Sequence, residues 1–250
     1  MRTDSQHLCH SRQNQLLVAL PQEALDRWQA HMDLVELSRN QTLFDAGRTP
    51  EYVYFPTTAI VSLMSITQEG ASAEVAVVGN DGVVGISSLL GAEAAVNDAV
   101  VQSAGRAFRL STRFVKGEIE RSCGVMKVVM RYAQSVLGQM AQTAVCNRYH
   151  TIDQQFCRRL LLGLDRVPSD ELEMTHELAA NLLGVRREGV TVAAHKLQEA
   201  GLIRYRRGHI VILDRQRLEQ KTCECYASAK KEYRRLQPVS IQMQQMQMAA

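Results

Sequence analysis

The sequence has no apolar run approaching the ~20 residues that a membrane-spanning helix requires. Its opening stretch, MRTDSQHLCHSRQN, lacks the apolar core of a secretory signal, so the expectation is a cytoplasmic protein. The six cysteines, Cys9, Cys123, Cys146, Cys157, Cys223 and Cys225, are too few and too scattered for a disulfide scaffold. Charged residues make up 22%, well short of a disordered polyelectrolyte. No nucleophile–base arrangement is evident, so enzyme function is not expected. The run Gly79-Asn-Asp-Gly-Val-Val-Gly lacks the following Lys-Ser/Thr of a phosphate-binding loop and reads as tight turns. His7, Cys9 and His10 offer soft metal ligands, as do Cys223 and Cys225. Neither group has a second half at zinc-site spacing, so no metal or cofactor is expected.

What is present is a chain of 250 residues, 46% hydrophobic, enough for two packed domains. Its net charge of +3 is unevenly spread. Residues 1–115 hold 8 Lys/Arg against 12 Asp/Glu, residues 116–173 hold 8 against 7, and residues 174–250 hold 13 against 7. An acidic front and a basic rear suggest division of labour, with the rear half meeting phosphates.

Residues 1–13 are polar and expected to fray. Residues 14–36 read as helical, with Leu16, Leu17, Leu20, Leu25 and Trp28 inward and Pro21 in the first turn of a second short helix. From about 40 to 111, short β-branched runs alternate with Gly, Pro and Asn/Asp punctuation, which predicts a small antiparallel roll. From Val125 to Asn147 the period changes to steps of three and four, through Val125, Val128, Val129, Tyr132, Val136, Met140 and Val145. With no proline and a single glycine, that stretch predicts one long amphipathic helix. Its stripe has no obvious burial within one chain, so a two-fold homodimer is expected, with Val129 and Val136 at the seam. A further helix is expected over Thr151–Arg166, ended by Val167-Pro168-Ser169-Asp170. The tail Gln237–Ala250 is rich in Gln and Met, uncharged, and expected to be disordered.

The most informative stretch is Met174–Ile212. Thr175 is a good N-cap for a helix over Glu177–Leu183, and Gly184-Val185 gives a sharp turn. A second helix follows over about Arg187–Ala200. Val190, Ala193, Ala194 and Leu197 fall on its inward face, and Glu188, Thr191, His195 and Gln198 on another. Two short helices joined by a glycine turn make a helix-turn-helix, whose second helix lies in the major groove of DNA. Arg187 can donate twice to guanine, and Glu188 can accept from the cytosine amine. A lone carboxylate facing phosphates would be repelled, so the pair fits base reading. The next run, GLIRYRRGHIVIL, predicts a hairpin around Arg207-Gly208 carrying Arg204, Arg206 and Arg207, a wing suited to the sugar–phosphate backbone. The candidate DNA-binding residues are therefore Thr175, Arg186, Arg187, Glu188, Thr191, His195, Arg204, Arg206 and Arg207.

The fold class is α+β: an N-terminal antiparallel β-roll, a long dimerisation helix and a C-terminal winged helix-turn-helix. The expected divisions are 1–13, 14–124, 125–147, 148–215 and a C-terminal extension over 216–250, disordered at its end.

This order resembles the Crp/Fnr family of bacterial transcription regulators over about residues 14–215. The resemblance is most specific in LAANLLGVRREGVTVAAHKLQEAGLIRYRRGHIVI, and EYVYFPTTAIVSLM with AEVAVVGNDGVVGISSLLG resembles the family's cyclic-nucleotide-binding-like roll. It implies that Arg187 and Glu188 are the base-contacting Arg-Glu pair. Val192 stands where a third base-reading Arg is frequent, and Arg186 where a small capping residue is frequent. Family members that bind cyclic nucleotide use a Gly-Glu pair and an Arg-Ser pair, and here the matching positions are Gly85-Ile86 and Val96-Asn97. No Arg or Lys occurs from Ile86 to Val101, so cyclic AMP activation is not expected. The family's oxygen sensors hold an iron–sulfur cluster on a run of N-terminal cysteines, where this chain has only Cys9. The partners implied are double-stranded DNA, a second copy of the chain and RNA polymerase, with the effector left unnamed. The rival reading is a sensor or adaptor whose roll binds a protein partner or a non-nucleotide effector, with DNA binding secondary.

Overall fold

The computed structural model describes residues 13–167 and 169–236, with side chains to residue 231. The expectations placed on residues 1–12, including His7, Cys9 and His10, and on Gln237–Ala250 lie outside the described residues, as does Pro168.

Among the described residues, two short helices come first, α1 (Gln15–Val18) and α2 (Gln22–Gln29). Asn14 caps α1 by accepting from the backbone N–H groups of Leu16 and Leu17, and its amide donates to Pro56 O and Gly82 O. That one buried side chain ties this segment to the end of the strand at Tyr52–Pro56 and to the loop at Gly82.

The helical reading fails after His31. Asp33–Leu37 is a strand, β1, paired antiparallel with β7 (Gly105–Ser111) so that Leu34 faces Phe108. The N–H groups of His31 and Met32 close a turn on Trp28 O and Gln29 O, and the chain then runs extended. A pairing partner some seventy residues away overrides the local pattern.

Among the described residues, seven strands form the roll. One sheet has the order β1-β7-β3, with β3 at Tyr52–Pro56. The other has the order β2-β6-β4-β5, with β2 at Thr42–Phe44, β4 at Ile60–Ile66, β5 at Ser72–Val78 and β6 at Asp98–Ser103. A short helix, α3 (Ile86–Leu89), starts after Gly85, whose φ of 101° suits glycine. Trp28, Phe55 and Phe108 are fully buried between the sheets and the helices. The Trp28 indole N–H donates to Glu118 of α4 (Thr112–Arg121), which also pairs with Arg27.

The long helix is α5 (Cys123–Tyr149), capped by Ser122. The expected reason for dimerisation is overturned here. Val125, Val128, Val129, Tyr132 and Val136 are buried against the roll of the same chain, and Met140 packs beside them. Val129 and Val136 are core residues, so charge there would disrupt the roll. The exposed apolar side of α5 is a different one, carrying Met126, Met130 (52% exposed) and Leu137 (66% exposed).

The rear domain follows. Helix α6 (Ile152–Leu164) starts with a reciprocal cap between Thr151 and Gln154. Then come β8 (Glu171–Glu173), α7 (His176–Leu183), α8 (Arg187–Glu199), β9 (Ile203–Arg206), β10 (His209–Ile212), α9 (Arg215–Lys221) and α10 (Glu224–Leu236). The sheet order β8-β10-β9 adds a third strand to the expected hairpin. The rear core is continuous with the outer face of the roll: Ile60, Met64 and Val77 pack with Phe156, Leu160 and Leu161. Ion pairs Arg159–Glu74 and Arg166–Asp81 cross the same boundary.

Candidate nucleic-acid interface

Thr175 caps α7, its hydroxyl accepting from Leu178 N. Gly184 ends α7 with φ of 66°, and a Cβ there would stand 3.2 Å from the Ala73 side chain. The turn therefore needs glycine for its backbone and for its approach to β5. Arg186 is the N-cap of α8 and makes no side-chain capping bond.

On α8, Val190, Ala193, Ala194 and Leu197 are buried, as the period predicts. Arg186, Arg187, Glu188, Thr191 and His195 are exposed. Val192 is 54% exposed beside them, an apolar side chain on an otherwise polar face. Arg187 Nε lies 3.9 Å from Glu177 Oε2, both well exposed, so this pair holds the guanidinium only loosely. His195 faces Glu199 at 3.4 Å. Gln198 is exposed as expected, and its side-chain oxygen also accepts from Tyr205 N at 2.9 Å.

Sequence reasoning missed His176. Thr191 Oγ1 donates to Arg187 O at 3.0 Å, which commits its proton. The His176 Nδ1–H can then donate to Thr191 Oγ1, 3.1 Å away. The His176 ring stacks on Tyr205 of β9, centroids 4.2 Å apart. One imidazole thus links α7, α8 and the hairpin. Burial, with the Arg187 cation second, holds its pKa below the usual value, favouring the neutral ring that stacks here. No local spacing signals this role, because its two partners, Thr191 and Tyr205, come from separate elements.

The hairpin turn is Arg207-Gly208, with φ of 47° and 86°, the two positive values of a type I′ turn. Gly208 O accepts from Met174 N at 2.7 Å, fixing the tip against the start of α7. Arg204, Arg206 and Arg207 are exposed, while Tyr205 between them is half-buried. Thr175 is also half-buried and lies against the turn, its Cγ2 3.3 Å from where a Cβ on Gly208 would be. The structure brings Arg187, Glu188 and the wing arginines onto exposed surface of one domain; Thr191 and Thr175 spend their hydroxyls inside it.

Residues 34–122 match the cyclic nucleotide-binding domain family, and residues 154–221 match the Crp-like helix-turn-helix domain family. The chain belongs to the Crp/Fnr family. It is a DNA-binding transcription regulator of that type. A Crp/Fnr transcriptional regulator from Eubacterium rectale is similar in fold, at 17% identity and a TM-score of 0.65 over 84% of this chain and 98% of its own. FixK2 from Bradyrhizobium japonicum, at 16% identity, has a TM-score of 0.65 over 77% of this chain and 98% of its own. The c-di-GMP-responsive regulator CLP of Xanthomonas campestris, also at 16%, has a TM-score of 0.61 over 78% of this chain and 100% of its own. Among curated protein sequences none matches the chain. Among the described residues no helix is long and apolar enough to cross a membrane.

In this Crp/Fnr regulator the roll and α5 border an open cavity of about 220 Å³ next to Gly85 and Ile86. Phe44, Leu63, Ile86, Val136 and Met140 line it, with Ser87 and Asn97 as its polar side chains. Among the described residues its lining holds no charged group. An anionic phosphodiester needs charge-assisted donors, so this cavity does not fit a cyclic nucleotide.

Proposed function

We propose that the regulator binds a palindromic DNA site as a homodimer, reading bases with Arg187 and Glu188 and holding the backbone with Arg204, Arg206 and Arg207. The observation that carries this reading is the exposed start of α8 beside an equally exposed basic hairpin, with the apolar positions of both turned inward. Arg186 and His195 flank the reading pair, and Val192 offers an apolar contact to a thymine methyl. Thr175 and Thr191 support the reader by shaping it, as their hydroxyl partners lie within the domain.

The exposed Met126, Met130 and Leu137 on α5 supply the face for a second copy. Cyclic AMP is not the effector, in keeping with the uncharged cavity. RNA polymerase is a further partner, and the cytoplasm is the place of action.

Selection of bound duplexes from a random pool tests the reading. The expected result is a two-fold motif with half-site centres about one helical turn, ~10 base pairs, apart. Enrichment of no motif, or of a single asymmetric site, would overturn it.

A further inference from the structure

The end of α5 and the junction of α9 with α10 bring together two pairs of side chains that lie far apart in sequence. Cys146 and His150 are four residues apart, so they share one face of the last helical turn. Cys223 sits between α9 and α10, and Cys225 is in the first turn of α10. The three sulfurs and a ring nitrogen of His150 all lie within 4.8 Å of one another. Cys223 and Cys225 thus have the second half that linear spacing did not reveal.

The spacing of these four ligand atoms is that which a metal ion could bridge. Cys146 Sγ and Cys223 Sγ are 3.6 Å apart, far beyond the ~2.05 Å of a disulfide. Cys225 Sγ and His150 Nδ1 are 3.4 Å apart. Two thiolates bound at ~2.3 Å to a tetrahedral zinc stand about 3.8 Å from each other, and a thiolate and an imidazole nitrogen about 3.5 Å. The observed separations are already near those edges.

The surroundings fit as well. All three cysteines are buried and unpaired by disulfide, forming a small cluster of their own. His150 Nε2 lies 3.2 Å from Glu224 Oε1, an arrangement in which Nε2–H donates to the carboxylate. That bond fixes the tautomer that leaves the Nδ1 lone pair toward Cys225, the usual carboxylate–histidine support of a metal ligand. Gln142 Nε2 donates to Cys225 Sγ at 3.0 Å. The buried Arg158 supplies a neighbouring positive charge to offset three thiolates.

We propose that Cys146, His150, Cys223 and Cys225 bind one zinc ion in a closed Cys₃His site. Three soft thiolates and an imidazole in a tetrahedron, with no place for a fifth group, are the donor set of a structural rather than a catalytic zinc. Binding deprotonates the thiols and releases the protons to solvent. The ion staples the C-terminal extension to the last turn of α5, one residue before the cap of α6. It therefore fixes the elbow between the roll's long helix and the DNA-binding domain.

The test uses the full chain, purified under reducing conditions. Metal analysis is expected to find about one zinc per chain. Cobalt(II) added to chelator-treated protein is expected to give thiolate charge-transfer absorption and the intense visible bands of a tetrahedral site, both erased by zinc. Cys123→Ser, at an exposed cysteine, should retain the metal. The double variant Cys223→Ser with Cys225→Ser should lose it. The wild-type titration stands even if the double variant does not fold. Failure of reduced wild-type protein to bind cobalt or zinc at micromolar concentration would overturn the assignment. So would a cobalt spectrum without thiolate bands, or a Cys146–Cys223 disulfide in protein from cells lysed with thiols blocked.

Discussion

The Arg159 guanidinium of α6 meets the Glu74 carboxylate of β5 edge to edge, Nε to Oε1 at 2.8 Å and Nη2 to Oε2 at 3.0 Å, with both side chains almost fully buried. Ser62 Oγ donates to the same carboxylate at 2.5 Å, and the Gln102 side-chain oxygen accepts from Arg159. This pair sits where the DNA-binding domain packs on the outer face of the roll. Removing one partner strands a buried charge, which costs more than the pair itself contributes. Arg159→Met should therefore lower stability by about 3–5 kcal/mol, and adding Glu74→Leu should restore a substantial part. Denaturant unfolding of the two variants checks this; a loss in the double variant equal to or greater than that in Arg159→Met would show that the stranded carboxylate carries no penalty.

DNA titrations separate reader from anchor. Arg187→Ala should cost roughly 1–3 kcal/mol on the selected site and relax preference at one base pair per half-site. Arg207→Ala should weaken all duplexes about equally and flatten the salt dependence. Cognate, singly substituted and random duplexes at two salt concentrations give the comparison. A uniform loss from Arg187→Ala with a cognate-only loss from Arg207→Ala would reverse the assignment.

Sedimentation distinguishes the two faces of α5. Met130→Glu with Leu137→Glu should yield folded monomers, because both side chains are exposed in one chain. Val129→Glu should instead unfold the roll, since that side chain is buried against it. Wild-type protein that stays monomeric at micromolar concentration would remove the homodimer from the proposal.

Calorimetry should detect no cyclic AMP binding at micromolar concentration, because the cavity beside Ile86 lacks a cation for the phosphate. A measured micromolar affinity would mean that the nucleotide is held elsewhere on the chain.

His176 gives the reader a pH dependence. Its folded-state pKa is lowered, so the stabilisation is complete above the unfolded value of about 6.5 and is lost as pH falls through the lower folded pKa. The DNA-binding domain should melt at a lower temperature at acid pH than at neutral pH. His176→Asn keeps a donor near the Nδ1 position and cannot titrate, so its melting should change less over that range. Identical pH profiles for the two proteins would exclude His176 as the group responsible.

Much of the rear domain was legible because its signals are local. Thr175 caps, Gly184 turns, and Val190, Ala193, Ala194 and Leu197 repeat at helical spacing within one short stretch. The misreadings share a different cause. Asp33–Leu37 is a strand only because β7 lies beside it, and nothing within those five residues says so. The stripe of α5 shows that an apolar face must be covered, but not by which surface; here the roll covers it, leaving Met130 and Leu137 outward. Cys146 looks solitary, and Cys223 with Cys225 only half a site, until the topology folds α10 back along α5.

Leu137 belongs to two surfaces at once. It lines the apolar cavity of the roll and stands on the face of α5 offered to a second copy. A molecule that enters the cavity and a subunit that covers the helix thus act on the same side chain. In the proposed homodimer, any coupling between the two events through this side chain is reciprocal. A cavity ligand's affinity should change with protein concentration, and its saturating presence should move the monomer–dimer midpoint by the square of the per-site factor.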